Sequence, residues 1–470
     1  MNRPASPASA TSASAPPKLS LPPSEKAQAQ LLSQAIVAIF EAWQKVGLEF
    51  LVLRNYETLP DFVGNDIDVL VRPSARDLAD KALMEAVRNC GFRRHNRAEF
   101  ATLANYFYHP DSGAQLHVDL FTDLKWRSLD FLASDRFLER RIARGPLFIP
   151  HPAHEAATNL LATMIYNRNI KEKYKASITR GFRAEAAEAR QLLGVTYGER
   201  LAEFMVEAGA REQWSELQQS TGKLRRKLIV RQLLRQPFSV LRSIVADAGR
   251  LIRRWFRPPG LSVVLCGADG SGKSTAAGAL IEELSTTFAP LKGRQFHWKP
   301  PVFSGRRMAA RAPTTQPHAA PPRNGVLSLA YFAFHWVEFF AGAFFRTRPV
   351  TFKNGLVLID RWYYDFFVDQ HRYRLRVPLA LVRLGYAFLP KPDLVLVLDA
   401  PAEILQQRKA EVPLAETQRQ REAYLRLGQR LPQGRIINAA ESPEAVVREM
   451  RRAVLNFMAA RMAKRTDGAA

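Results

Sequence analysis

The stretch "LSVVLCGADGSGKST", Leu261 to Thr275, constrains the fold of this chain more than any other. Gly267, Gly272, Lys273 and Ser274 fall on the spacing G-x-x-x-x-G-K-[ST], which joins a parallel strand to a helix. Glycine is needed there because successive backbone N–H groups must approach phosphate oxygens that a side chain would keep away. The spacing predicts that Gly267, Asp269, Gly270, Ser271, Gly272, Lys273, Ser274 and Thr275 surround a nucleotide, ATP. Lys273 is expected to reach its β- and γ-phosphates, and the Ser274 hydroxyl to ligate Mg²⁺.

Strand and helix patterns alternate around this loop, with "GRQFHW", "GLVLID", "PDLVLVLD" and "GRIIN" as further strands. That alternation predicts an α/β domain over 258–464 built on a doubly wound parallel sheet. "LVLIDRWYYD" ends an apolar strand on Asp360, an acid placed to hold Mg²⁺ or to orient an acceptor, and Arg361 follows to neutralise transferring phosphoryl charge. "VLSLAYFAFHWVEFFAGAFF", Val326 to Phe345, is long enough to cross a bilayer. His335 and Glu338 sit at its middle, where polar groups are costly in lipid, so a buried core helix is expected. The Pro/Ala/Arg-rich run Ser304 to Gly325 is expected to be a loop insertion.

The pieces "GADGSGKST", "DRWYY" and "PDLVLVLDAPAEILQQRKAE" stand in the order found in thymidylate kinases, and Leu261 to Met462 resembles that family. The resemblance implies an ATP- and Mg²⁺-dependent phosphotransferase acting on a nucleoside monophosphate. Asp269 then occupies the position of an acid facing the acceptor, and Arg361 contacts phosphates. "QQRKAEVPLAETQRQREAYLRL" corresponds to a mobile lid, with Arg408, Arg419 and Arg421 as candidate cations and Arg408 the one assigned to catalysis beside Lys273, Asp360 and Arg361. Gly270 stands where some members carry an arginine, so a lid arginine should take over that work. One loop departs from the family. Where a thymidylate kinase has an Arg-Glu-Pro-Gly-Gly type sequence, this chain has "FHWKPPVFSG", which puts His297, Trp298 and Lys299 near the acceptor pocket. Thymidine specificity is therefore open, and a glycan-linked acceptor is an alternative.

Towards the amino terminus, "EFLVLR" and "DIDVLVR" read as strands, and "SARDLADKALMEAVRNCG" as a helix with Ser74 and Asp77 in capping-box spacing and a stop at Gly91. "YFYHPDSGAQLHVDLF" reads as two strands around a turn, which completes a small α+β unit over 25–150. Asp66 and Asp68 are two apart on a strand, so their carboxylates share a face, and their mutual repulsion suits a divalent cation between them. Asp119 lies on a strand able to pair alongside. This order resembles the polymerase-β-like nucleotidyltransferases, which implies a three-carboxylate site for metal-assisted transfer. Arg54-Asn55 stands where that family has Gly-Gly or Gly-Ser. An active transferase, a nucleotide sensor and a degenerate partner domain all remain open.

Between the two units, 151–257 is a helical, basic connector, divided at Pro237. Leu241, Ile244, Val245, Leu251, Ile252 and Trp255 follow helical spacing among basic residues. The stripe suits either packing on a neighbour or contact with an anionic membrane. The net charge of +24 points the same way, to anionic partners. These are a small-molecule nucleotide and a membrane surface, with nucleic acid the least expected. The same balance motivates a rival reading, a nucleotide-gated binding protein anchored to membrane or nucleic acid. The two cysteines, Cys90 and Cys266, make no disulfide framework, and a cytoplasmic, membrane-peripheral location is expected. The Ala/Ser/Pro-rich run 1–24 has no apolar core of a secretory signal and, with 465–470, is expected to be disordered.

Overall fold

Two parallel-strand-containing sheets, each sandwiched between helices, organise the chain in a computed structural model that describes residues 23–467 apart from 63, 65, 100–101, 127–128, 236, 290, 292–294, 305–317 and 319–320. Most of the expected insertion after Ser304 and nearly all of the expected tail 1–24 lie outside the described residues.

The first sheet contains β1 (Phe50–Val52), β2 (Ile67–Val71), β3 (Arg93–Glu99), β4 (Leu103–Tyr108) and β5 (Gln115–Phe121), in the order β1-β2-β5-β4-β3. β2 and β5 run parallel and the other neighbours antiparallel. Alternation sends Phe50, Val52, Val69 and Val71 towards the helices Pro23–Lys45 and Arg76–Asn89, and Leu51, Leu53 and Leu70 towards the helical connector. β3, "RRHNRAE", lacks the apolar alternation that marks a strand. Its His95 and Asn96 are nevertheless buried, because the helix Pro443–Asp467 covers this edge. Two hairpins follow, β6 (Leu124–Trp126) with β7 (Leu129–Leu132), and β8 (Ile142–Arg144) with β9 (Leu147–Ile149). The chain is then helical from Pro152 to Phe256, and the helices Trp214–Arg235 and Pro237–Phe256 separate at Pro237. One local expectation fails. The helix Arg76–Asn89 starts from a 3₁₀ turn, Pro73–Ala75, with no side-chain cap from Ser74. Proline pre-sets that turn, so no capping box is required. At the other end Gly91 takes φ +80°, and Phe92 N–H bonds back to the Val87 carbonyl at 2.9 Å, closing the helix as expected.

The second sheet contains β10 (Leu261–Cys266), β11 (Gln295–Phe296), β12 (Leu356–Asp360), β13 (Leu394–Asp399) and β14 (Gly434–Asn438), all parallel, in the order β11-β12-β10-β13-β14. Central β10 is buried throughout, as an apolar run on a parallel sheet covered on both faces must be. Val263 and Leu265 pack with the helices Lys273–Glu283 and Pro443–Asp467. Val264 and Cys266 pack with Phe332, Phe339 and Tyr424 from the helices Gly325–Gly342 and Leu414–Arg430.

The helix Gly325–Gly342, continued to Phe352, corrects the expectation of a buried core helix. It is long and apolar enough to cross a membrane by length and composition, yet just 39% of its most apolar window is buried. Ser328, His335 and Glu338 face inward, while Val326, Leu329, Val337 and Phe340 face solvent. Lys299 and the turn Val302–Ser304 supply partners to the polar stripe, and that is what turns it towards the core.

The two sheets are joined at β3, β4 and β5. Tyr108 packs into the core of the second sheet and bonds Asn456 through its hydroxyl, and Gln115 Oε1 accepts from the hydroxyls of Thr286 at 3.0 Å and Thr287 at 2.7 Å.

Candidate functional site

At the carboxyl end of β10 the chain turns through Gly267–Gly272 into the helix Lys273–Glu283. Gly270 and Gly272 have φ of +83° and +80°, and a Cβ on Gly270 would come within 2.4 Å of the Leu405 carbonyl oxygen, so glycine alone fits that point. The first amides of the helix are left pointing into the loop. Lys273 is buried, and its Nζ donates to the carbonyls of Gly267 and Ala268, both at 2.9 Å, and to Ser271 Oγ at 3.3 Å. Burial brings its pKa down to about 8, with the Arg361 charge acting in the same direction and Asp360 and Asp269 opposing it. Ser274 and Thr275 are exposed at the rim. Beside the loop opens a cavity of about 600 Å³ lined by Gly270, Thr275, Ala279, Arg408, Ala439 and Val447, within the size range of small-molecule pockets.

Strand register delivers the second element. Leu265 pairs with Asp360, so β12 ends beside the start of the loop. Asp360 is buried, with Oδ2 3.2 Å from His297 Nδ1, while its Oδ1 has no partner among the described residues. Burial pushes this carboxyl up, but the bond from His297 and the charges of Lys273 and Arg361 outweigh it and hold the group below its usual range. A buried carboxylate oxygen without a donor is one ligand that a hard divalent cation can use.

Asp269 forms the third. Arg361 and Arg372 both pair with it, and despite burial, which acts upward, the two guanidinium charges keep its carboxyl well below the carboxylate range. Arg361 and Trp362 take positive φ, +73° and +57°, a strained pair of the kind found at functional sites. The strain is held by the Arg361 N–H bond to the Leu265 carbonyl at 2.8 Å and by buried Asp365, which pairs with Arg361 at 3.4 Å and accepts the hydroxyls of Tyr373 and Tyr424, both at 2.7 Å. Arg372 also lies 3.5 Å from Glu411, which pairs with Lys409 at 2.7 Å. Among the described residues, the ion pairs of Asp269 come from Arg361 and Arg372 and not from the expected lid arginines. Arg408 donates to the Ala439 carbonyl at 2.7 Å on the cavity wall, Arg421 pairs with Asp399 at 2.8 Å, and Arg419 pairs with Glu416 at 2.7 Å. The second guanidinium beside Arg361 comes instead from Arg372, one arginine among many in "QHRYRLR", which spacing alone does not single out.

The departing loop is built into the fold. Trp298 stacks on Tyr373 with ring centroids 4.2 Å apart and meets Phe339 and Phe366 edge-on, and its buried Nε1 has no partner among the described residues. Lys299 Nζ lies 2.8 Å from His335 Nδ1 and pairs with Glu338. Glu338 also accepts the N–H groups of Phe303 and Ser304 at 2.8 Å and the Ser304 hydroxyl at 2.7 Å. Burial would raise its pKa, yet these donors bring it down to about 2. Lys299 is thus committed to the fold.

A separate cluster lies on the first sheet. Asp68 is in register with Asp119 across β2 and β5, and Asp66, Asp68 and Asp119 offer oxygens all within 4.8 Å of one another. Asp68 Oδ1 is buried without a partner among the described residues, and its other oxygen pairs with Arg54. Burial raises this carboxyl to about 6 against the opposing charge of Arg54. Asp119 Oδ1 lies 2.8 Å from His117 Nε2. A third group, His318, Asp369 and Glu416, is already bonded internally, with Asp369 accepting from His318 at 3.0 Å and from Gln420 at 3.1 Å.

No family profile matches the chain. Over 205 residues, 42% of its length, the chain is 29% identical to a probable thymidylate kinase of Thermococcus onnurineus (strain NA1), and the match takes in 84% of that protein. The chain therefore contains a kinase-like region.

Proposed function

We propose that the carboxy-terminal half is a P-loop phosphotransferase of the thymidylate kinase type, using ATP and Mg²⁺ to phosphorylate a nucleoside monophosphate. The observation that carries this is the register of β10 and β12, by which the glycine-rich loop with Lys273 and the Asp360 carboxylate stand side by side. Backbone amides from Gly270 to Ser274 would hold the β- and γ-phosphates, with the Lys273 ammonium against their oxygens. Ser274 and Asp360 fit Mg²⁺, which when bound neutralises phosphate charge. The cavity lined by Arg408 and Ala439 suits the nucleoside. Asp269 takes a hydroxyl of the acceptor, and Arg361 and Arg372 face its phosphate and the charge that develops in transfer. Trp298, stacked on Tyr373, closes the acceptor side, and its unpartnered Nε1–H is available to a polar group of the acceptor.

The test is ADP formation by the full chain with Mg²⁺ and a panel of nucleoside monophosphates, dTMP first, alongside phosphorylated sugars. Turnover with a monophosphate is expected. No product from any nucleotide while ATP still binds would remove the acceptor assignment, and product from a sugar phosphate alone would move the activity to a glycan-linked acceptor. ATP affinity unchanged in Lys273→Ala would remove the phosphotransferase itself.

The Asp66, Asp68 and Asp119 cluster supports a second reading for the amino-terminal unit, a polymerase-β-like nucleotidyltransferase fold with a divalent-metal site. Its three oxygen donors, one buried and without a partner, fit such an ion. Arg54 on Asp68 competes for the same carboxylate, so Mn²⁺ binding should tighten several-fold in Arg54→Ala, measured by titration calorimetry. Weaker binding in that variant would mean that Arg54 builds the site and does not compete for it.

A further inference from the structure

The helix Gly325–Gly342 buries Phe332 and Phe339 with its polar residues, yet it and its continuation to Phe352 leave a further apolar stripe uncovered. Ser328, His335 and Glu338 are at most 1% exposed, whereas Phe340 is 39%, Val337 45% and Phe345 70% exposed. Water opposes an apolar stripe of that length, and such stripes mark contact surfaces. A second stripe runs at helical spacing along Pro237–Phe256 through Phe238, Leu241, Val245, Ile252 and Phe256, all exposed.

The two stripes join. Trp255 packs on Phe352 with ring centroids 5.8 Å apart, and Phe256 and Phe344 line one cavity together with Arg257, Arg348 and Lys391. From Phe344 the band continues by ring contacts to Phe340 at 5.1 Å and on to Trp336 at 5.5 Å. Trp336 Nε1 donates to the Gly385 carbonyl at 2.8 Å, in the helix Leu379–Phe388, where Leu384 and Phe388 are again exposed.

We propose that this band docks the protein on the surface of an anionic lipid bilayer. Charge favours a bilayer over a second protein. Across the segments 237–256, 325–352 and 379–391 the acids are Asp247 and Glu338, and Glu338 is buried. Arg242, Arg253, Arg346, Arg383 and Lys391 belong to the same segments, in a chain of net charge +24. Apolar stripes carrying aromatic residues beside arginines settle at the level of lipid headgroups, and the cations add attraction to anionic lipid. The long helix lies on the bilayer and does not cross it, because crossing would pull Glu338 away from Lys299 and leave both charges unpaired in hydrocarbon. The cavity between the stripes also reaches Ser262 and Asp393, at the amino ends of β10 and β13, whereas the glycine-rich loop leaves the carboxyl end of β10. One strand length of roughly 20 Å separates them, so a docked protein keeps its nucleotide cavity open to solution. Docking does not rest on the phosphotransferase reading.

The experiment is co-sedimentation of the full chain with phosphatidylcholine vesicles, with and without about 30% phosphatidylglycerol, at low and high salt. Binding should be at least about ten-fold tighter to the anionic vesicles and weaken as salt rises. Ile252→Ser and Phe345→Ser keep the net charge, and each should weaken vesicle binding about ten-fold while ATP binding and the melting midpoint hold. Equal binding to neutral and anionic vesicles, or undiminished binding by both variants, would overturn the proposal. So would a dimer, seen by ultracentrifugation without lipid, that both substitutions dissociate.

Discussion

At Glu338, Lys299, three backbone amides and the Ser304 hydroxyl converge on one carboxylate, and every donor favours its ionised form. The group's pKa lies at about 2 in the fold against 4.5 for the free side chain. The sign follows. Stability from this site is complete above pH ~4.5 and is lost as pH falls through about 2. Glu338→Gln should destabilise the protein by on the order of 3 kcal/mol in urea unfolding at pH 7, because Lys299 is left buried and uncompensated. The same variant should lose less further stability on acidification than the parent does, and an equal acid response would show that another carboxylate governs it. Arg372 tests the chemistry in the same way. With Arg361 it is paired to Asp269, so Arg372→Ala should lower kcat by about 100-fold or more while ATP affinity stays within about two-fold. Arg372→Lys should not restore turnover, because an ammonium cannot reproduce the fork of donors that grips a phosphate. Steady-state kinetics and nucleotide titration separate the two effects.

Among the elements, legibility followed how a segment buries itself. β10, β12 and β13 are apolar runs that stand inside a sheet covered on both faces, and their sequences announce it. The Asp66, Asp68 and Asp119 constellation was readable in part, since Asp68 lies on β2 in register with Asp119, whereas Asp66 stands just before the strand and alternation does not place it. β3 was not, since its buried polar residues are covered by a helix 350 residues further on, a tertiary effect with no local pattern. Arg372 was hidden by abundance, because in a chain with 68 lysines and arginines a single arginine has no distinguishing neighbourhood. The helix Gly325–Gly342 was half legible. His335 and Glu338 at its middle argued for a buried core helix; both are buried, but apolar composition alone cannot tell which other faces find a protein partner. The glycine-rich loop offers a test at this scale. Gly270→Ala adds a Cβ within 2.4 Å of the Leu405 carbonyl, so the loop and the helix Ala402–Arg408 must separate. Strain on the order of 1–3 kcal/mol should appear as a loss of about ten-fold or more in affinity for a non-hydrolysable ATP analogue, with circular dichroism unchanged. Retained affinity would mean that the loop is not the nucleotide's seat.

For the whole molecule the question is whether two candidate sites on two sheets communicate. The sheets are fastened by Tyr108 to Asn456 and by Gln115 to Thr286 and Thr287, and Gln115 lies on β5, the strand that carries Asp119. The threonines follow the helix Lys273–Glu283 at its carboxyl end, whereas the glycine-rich loop is at its amino end. Side-chain bonds of this kind hold the halves together, and coupling would further require a bistable element that both sites bias. Replacing both Asp66 and Asp68 by alanine should therefore leave phosphotransferase kcat and nucleotide affinity within about two-fold of the parent. It should also abolish Mn²⁺ binding at the first sheet, which supplies a positive control that the substitutions took effect. A fall in kcat beyond about ten-fold with Mn²⁺ binding lost would mean that the metal-dependent half drives the other, and the joint at Gln115 would then be the first place to look for the moving part.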